Sequence, residues 1–147
     1  MTERRRISDE NKALAWRLSD EVFNAHNLAR CDDLYDPNYV HHSLPPGFSP
    51  SREGIKQYLS ESFQAFPDFH VTIDYMIAEG DWVAIRYTGH GTHQGDLMGV
   101  PPTGKEVTAS AVMTLRIVDS RIVEDWLDGD KLGILQQIGA IPSSAQA

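Results

Sequence analysis

A single cysteine, Cys31, in 147 residues excludes an intrachain disulfide and a cysteine-based zinc cluster. Basic side chains are also scarce. The 13 Lys and Arg face 21 Asp and Glu, a net charge of −8, which argues against a nucleic-acid partner, since phosphate-backbone binding needs clustered cations. The one basic run, Arg4-Arg5-Arg6, reads as a solvated end. No apolar run approaches the ~20 residues of a membrane span, and the N-terminus lacks the apolar segment of a signal peptide. A cytoplasmic chain with no membrane partner is therefore expected. There is no Gly-x-Gly-x-x-Gly after a strand, no Walker loop and no Gly-x-Ser-x-Gly elbow, so no cofactor is expected. His41 and His42 are adjacent, and His90 and His93 are three apart on a strand. Each pair points to opposite faces and cannot share one ion, and no His-Glu-x-x-His spacing exists. No metal site is expected.

What is present is an ordinary globular composition, 41% hydrophobic and 23% charged, long enough for one domain over 1–147 with a sizeable core. Residues 1–7 and 143–147 are polar or small and read as flexible ends. Ser8 or Asp9 can cap a helix to about His26, with Leu14, Leu18 and Val22 as its apolar stripe and Trp16 packed beside them. A short second helix over 29–35 precedes an extended 39–42. Ser49 with Pro50 starts a third helix whose stripe is Ile55, Leu59, Phe63 and Phe66. Four alternating segments follow, 69–79, 82–92, 106–118 and 121–127. Asp128 or Asp130 caps a last helix that stops at Gly139. Helices first and then an antiparallel meander predict an α+β fold.

In 121–127 strict alternation puts Glu124 and Trp126 on one face and Val123, Asp125 and Leu127 on the other. Asp125 is then a lone carboxylate among apolar residues. The plain reading is a solvated or salt-bridged acid. The functional one is a carboxyl shielded from water, whose raised pKa suits proton transfer near neutral pH. The glycine- and proline-rich 95–105 segment carries Leu97, Met98 and Val100, which suits a lid over a greasy substrate or a gate at a pocket mouth.

The stretch RIVEDWLDGDKLGILQQIG over 121–139, with GTHQGDLMGVPPTGKEV over 91–107, resembles the signature of the SnoaL-like polyketide cyclases. These belong to the nuclear-transport-factor-2-like superfamily of cone-shaped domains, in which N-terminal helices pack on a curved antiparallel sheet. The resemblance covers most of the chain. It implies a small-molecule polyketide substrate, no cofactor, and ring closure in natural-product biosynthesis. Asp125-Trp126 matches the dipeptide in which the family's acid directly precedes Trp. An ungapped alignment puts Leu127 at that position instead; a local strand bulge would restore Asp125, and without one the pocket has no such acid. The Gln and His that face substrate in aldol cyclases fall at Ala111 and Met113, and an early Asn falls at His41. The polar groups left to serve a pocket are His41, His93, Tyr75 and Tyr87, although core packing with the hydroxyl at the rim is the favoured reading for the two tyrosines.

The expected catalytic residues are thus Asp125 and His41. The expected substrate contacts are Tyr75, Tyr87, His93, Met98, Ala111, Met113, Val123 and Leu127. Loss of the polar trio points to a ring closure templated by shape, of cycloaddition type, with some acid–base help. The alternatives are an aldol-type ester cyclase using Asp125 as base, an isomerase or epoxide hydrolase needing Asp74 and Asp125 inward together, and a non-catalytic binding module. An apolar outer sheet face, with Trp82 and Val112 on it, predicts a homodimer.

Overall fold

The computed structural model describes residues 2–142; the expectation for 143–147 lies outside them. The first helix starts earlier than its sequence cues suggest. Thr2 is its N-cap, its Oγ1 accepting from the Arg5 N–H at 3.2 Å, and α1 runs Glu3–Arg17. Residues 3–7 are therefore helical rather than frayed. Arg6 sits one turn from both Glu3 and Glu10 and pairs with each, so the basic run lies on a helix face, where i,i+3 and i,i+4 pairs add tenths of a kcal/mol. The helix widens into π turns over Leu18–Asn24, which buries both Val22 and Phe23. Trp16, expected in the core, is 48% exposed.

A 3₁₀ turn, Leu28–Arg30, and α2, Cys31–Leu34, lead straight into β1, Tyr35–His41. The cap of α3, Arg52–Ala65, is Ser51 rather than Ser49, its hydroxyl accepting from the Gly54 N–H at 3.2 Å. Four strands follow: β2 His70–Glu79, β3 Trp82–Thr92, β4 Glu106–Val118 and β5 Arg121–Gly129. Asp130 caps α4, Lys131–Gln137. The sheet order is β1-β5-β4-β3-β2, with β1 parallel to β5 and the rest antiparallel. The extended 39–42 segment is thus part of a fifth strand, which the meander pattern alone does not reveal. Among the described residues, no helix is long and apolar enough to cross a membrane.

Bulges in β2 and β5 decide which of their side chains point inward, since one extra residue moves every later side chain to the other face. In β2 the register slips between Ile73, opposite Tyr87, and Tyr75, opposite Arg86. Val71 and Ile73 face the helices before the slip, and Met76 and Ala78 after it, so Tyr75 and Ile77 turn outward. In β5 the slip lies between Ile122, opposite Ile117, and Glu124, opposite Arg116. Val123 is the extra residue. Ile122 and Asp125 are both fully buried as a result.

The inner face packs Val83, Ile85, Leu115, Ile117 and Ile122 against Leu18, Val22, Leu34 and Leu59. Each such fully buried aliphatic side chain contributes about 1.5–3 kcal/mol. A second, smaller cluster holds Ala65, Phe66, Val107 and Ile138, with Leu97 and Val100 against it. The 95–105 segment is folded onto this cluster and is not a lid. The N–H groups of Gln94 and Gly95 both donate to the Ala65 carbonyl, at 2.9 and 3.1 Å. A Cβ at Gly95 would run into the Gln64 carbonyl, so this close approach requires glycine.

Candidate active site

Between the inner face of the sheet and the helices lies a cavity of about 650 Å³. Phe23 from the end of the first helix, Ile55, Tyr58 and Leu59 from α3, and Tyr87 and Met113 from the sheet line it. Gly89, Ala109, Ala111 and Gly129 form a stretch of its wall with almost no side chain. Asp128, Asp130 and Lys131 lie at the β5–α4 corner of the lining.

One buried polar residue of this lining has an unmet nitrogen. His41, the last residue of β1, lines it and is 2% exposed. Its Nδ1 accepts from the Ser43 N–H at 3.0 Å. That contact occupies the Nδ1 lone pair and places the proton of the neutral ring on Nε2. Nε2 is buried and has no protein partner. Burial first, and then His42 and Lys131, push the His41 pKa down to about 4, so the imidazole is neutral at physiological pH. The chain end that carries it is tied down: the His42 N–H donates to the Asp125 carbonyl at 2.9 Å, and the Leu127 N–H to Ser43 Oγ at 3.0 Å.

Asp125 is 0% exposed and sits behind His41 rather than in the cavity wall. The two are register partners of the parallel β1–β5 pair. Oδ1 of Asp125 accepts from the Tyr39 hydroxyl at 2.6 Å and lies 3.7 Å from His41 Nδ1. The latter distance is too long for a hydrogen bond, and with a neutral imidazole it is not an ion pair. Oδ2 has no protein partner. Burial pushes the Asp125 pKa up to about 7, against the opposing pull of the Tyr39 hydrogen bond. Tyr35 packs on Tyr39 at 4.3 Å between ring centroids, and burial keeps both phenols protonated.

A stability prediction follows from the carboxyl. Its folded pKa, about 7, lies above its ordinary 3.8, so the folded state binds the proton more tightly. The advantage is complete below pH ~4 and is lost as pH rises to about 7, a span of roughly 4 kcal/mol. Denaturant unfolding across pH 4 to 8 should show this loss. Asp125→Asn, which cannot ionise, should give a profile flatter by that amount.

Of the expected site residues, His41, Tyr87, Ala111, Met113 and Leu127 share the cavity lining. Four others lie elsewhere. Tyr75 is 56% exposed on the outer face because of the β2 bulge. Val123 is the bulged residue of β5 and falls out of the alternation. Met98 is 61% exposed at a positive φ in the 95–105 segment. His93 is buried away from the cavity, where Nδ1 accepts from the Thr103 N–H at 3.2 Å and pins that segment. Asp74 is also outward, accepting from the Thr88 hydroxyl at 3.0 Å, so no second carboxylate converges with Asp125. Tyr39 and Tyr58 were missing from the expected set. Tyr39 is two residues before His41, and period-two alternation places both on one face. Tyr58 lies one turn from Ile55 and beside Leu59 on the buried side of α3. Among the described residues, no three His, Cys, Asp or Glu side chains are grouped to hold a metal ion.

A curved five-stranded sheet covered on one face by helices, with a cavity between them, is the nuclear-transport-factor-2-like class of α+β domain. The chain belongs to the SnoaL-like polyketide cyclase family, whose model matches residues 13–138. It is 30% identical over 125 residues to nogalonic acid methyl ester cyclase of Streptomyces nogalater, covering 80% of this chain and 92% of that one. It is 27% identical over 131 residues to the aklanonic acid methyl ester cyclase DauD of Streptomyces sp. strain C5, covering 83% and 80%. Among solved structures, IdmH of Streptomyces antibioticus, provisionally assigned as a polyketide cyclase, superposes with a TM-score of 0.77 at 33% identity. That match covers 88% of this chain and 98% of the other. AclR of Streptomyces galilaeus, provisionally assigned as a hydroxylase, gives 0.83 at 32% identity, covering 92% and 85%.

Proposed function

We propose that this protein is a polyketide cyclase that closes a carbocyclic ring on a largely apolar polyketide, chiefly by holding the chain in the folded shape. The observation that carries the reading is His41, a buried imidazole with an unpartnered Nε2, in the lining of an otherwise mainly apolar cavity. A mainly apolar wall folds and desolvates a chain. Bringing two ends of one molecule together lowers a barrier by several kcal/mol. A neutral imidazole adds a fixed donor where negative charge develops on a carbonyl oxygen, and in a water-excluded site such a donor is strong. Ring closure of this kind rearranges bonds within the substrate and needs no atom from the enzyme.

The test is conversion of linear and partly cyclised polyketides, including their methyl esters, followed by liquid chromatography with mass detection. A product of unchanged mass and one additional ring is expected. A product gaining an oxygen atom would overturn the reading in favour of hydroxylation.

A second reading starts from the two curated relatives, both named methyl ester cyclases: an aldol-type closure on an ester substrate. Asp125 does not reach the cavity, so in that reaction a proton would leave the substrate through His41.

The working unit is proposed to be a homodimer. The outer sheet face exposes Tyr75, Ile77 and Trp82, and Trp82 lies 5.8 Å from Trp126, on which His42 stacks. Apolar faces of this kind are covered in stable proteins. Light scattering at tens of micromolar should give the mass of two chains; the mass of one would remove this part of the proposal.

A further inference from the structure

We propose that Asp125, held by Tyr39, sets which nitrogen of His41 carries the proton, so that one imidazole presents either a donor or a lone pair to the substrate. Tyr39 is then a positioning residue, acting through Asp125 and never touching substrate. The inference rests on the reading of His41 as the group that meets the substrate.

Tyr39 and His41 are two apart on β1 and share its inner face, and Asp125 is the register partner of His41 on β5. The oxygen that takes the Tyr39 hydroxyl at 2.6 Å is the one that faces His41 Nδ1 at 3.7 Å. Tyr39, His41 and Asp125 are each at most 2% exposed, so bulk water does not compete for these contacts. Tyr35, packed on Tyr39, braces it from the other side and has a hydroxyl without a partner. The groups that bear on Asp125 are thus Tyr35, Tyr39, His41 and Tyr87. Those that bear on His41 are Asp125, His42 and Lys131.

Two proton arrangements follow. With Asp125 as the neutral acid, the Ser43 N–H holds the Nδ1 lone pair, as observed, and the ring proton is on Nε2. When Asp125 gives its proton to solvent, a carboxylate faces Nδ1. A proton on Nδ1 is then favoured by attraction: closing the gap by under an ångström makes a hydrogen bond to the carboxylate, at the cost of the Ser43 N–H contact, which loses its acceptor. The ring keeps one proton throughout, which leaves Nε2 and appears on Nδ1. The Nε2 lone pair now faces the cavity and can accept a proton from an acidic carbon. Tyr39 tunes the exchange because its O–H stabilises the carboxylate; without it the carboxyl keeps its proton to higher pH.

The test is nitrogen NMR of the full-length protein with ¹⁵N-labelled histidine, titrated from pH 5 to 9. The His41 signals are assigned by their loss in His41→Gln. Wild type should pass from the Nε2–H to the Nδ1–H tautomer near pH 7. Asp125→Asn should stay Nε2–H throughout. Tyr39→Phe should move the midpoint up by about one pH unit and shift the pH profile of kcat equally, with KM unchanged. Retention of Nε2–H at every pH in wild type overturns the proposal, as does an unmoved midpoint in Tyr39→Phe. The wild-type titration and Asp125→Asn decide the matter even if Tyr39→Phe misfolds. None of the NMR readouts depends on turnover, so absence of cyclisation with the expected tautomer change would remove the proposed function and leave this inference standing.

Discussion

His41→Leu should lower kcat for ring closure by about 10²–10³, the usual cost of removing one preorganised donor to a developing oxyanion. The substitution keeps the inner face apolar and leaves only the Ser43 N–H without its acceptor, so the fold should survive, as circular dichroism would show. His41→Gln, whose amide can donate from a similar position, should recover part of the loss. Asp125→Asn separates the two forms of catalysis. It leaves the imidazole in place as a donor but removes the carboxylate behind it. A templated closure should lose about ten-fold or less. An aldol closure that needs the lone pair on Nε2 should lose about a hundred-fold or more. Wild-type turnover by His41→Leu would mean that no side-chain donor is used at all.

Ala111→Trp should be at least as damaging. Ala111 faces Tyr87 on β3 and Gly129 on β5, in the part of the cavity wall with almost no side chain. A Cβ on Gly129 would already come within 3.6 Å of the Ala111 methyl. An indole at 111 has nowhere to go but into the cavity, where it displaces the folded substrate pose. A fall in kcat/KM of more than about a hundred-fold is expected, because lost positioning alone is worth several kcal/mol. The melting temperature should change little, since the indole occupies open space rather than packed core. If Ala111→Trp turns over nearly normally while Asp125→Asn is inactive, the shape-driven mechanism is wrong and the carboxylate is the centre of the chemistry.

Much of this was legible in the chain itself. Helices before strands, the apolar stripes of Leu14, Leu18 and Val22 and of Ile55 and Leu59, the turns at Gly80 and Asp119, and the cap at Asp130 are local signals. They act within one or two turns or strands, and the structure contains each of them. The family signature was legible as well. Asp125 is buried, one of the two readings that the pattern left open, and His41, Tyr87, Ala111, Met113 and Leu127 meet around one cavity.

The rest depended on register. A strand's own sequence carries a period of two but not the residue at which pairing slips. That is settled by which neighbouring side chains fill the space between two strands. The slip at Val123 keeps both Ile122 and Asp125 inside, and the slip before Tyr75 turns that phenol to the surface. The parallel pairing of β1 with β5 joins residues more than eighty apart, and only that pairing puts Asp125 behind His41 and in reach of Tyr39. Composition and spacing determined a helices-then-strands domain with an acid near the end of its last strand. Tertiary structure decided that the acid is buried and that His41, not Asp125, enters the cavity lining, because β5 lies inside the sheet with β1 paired along it.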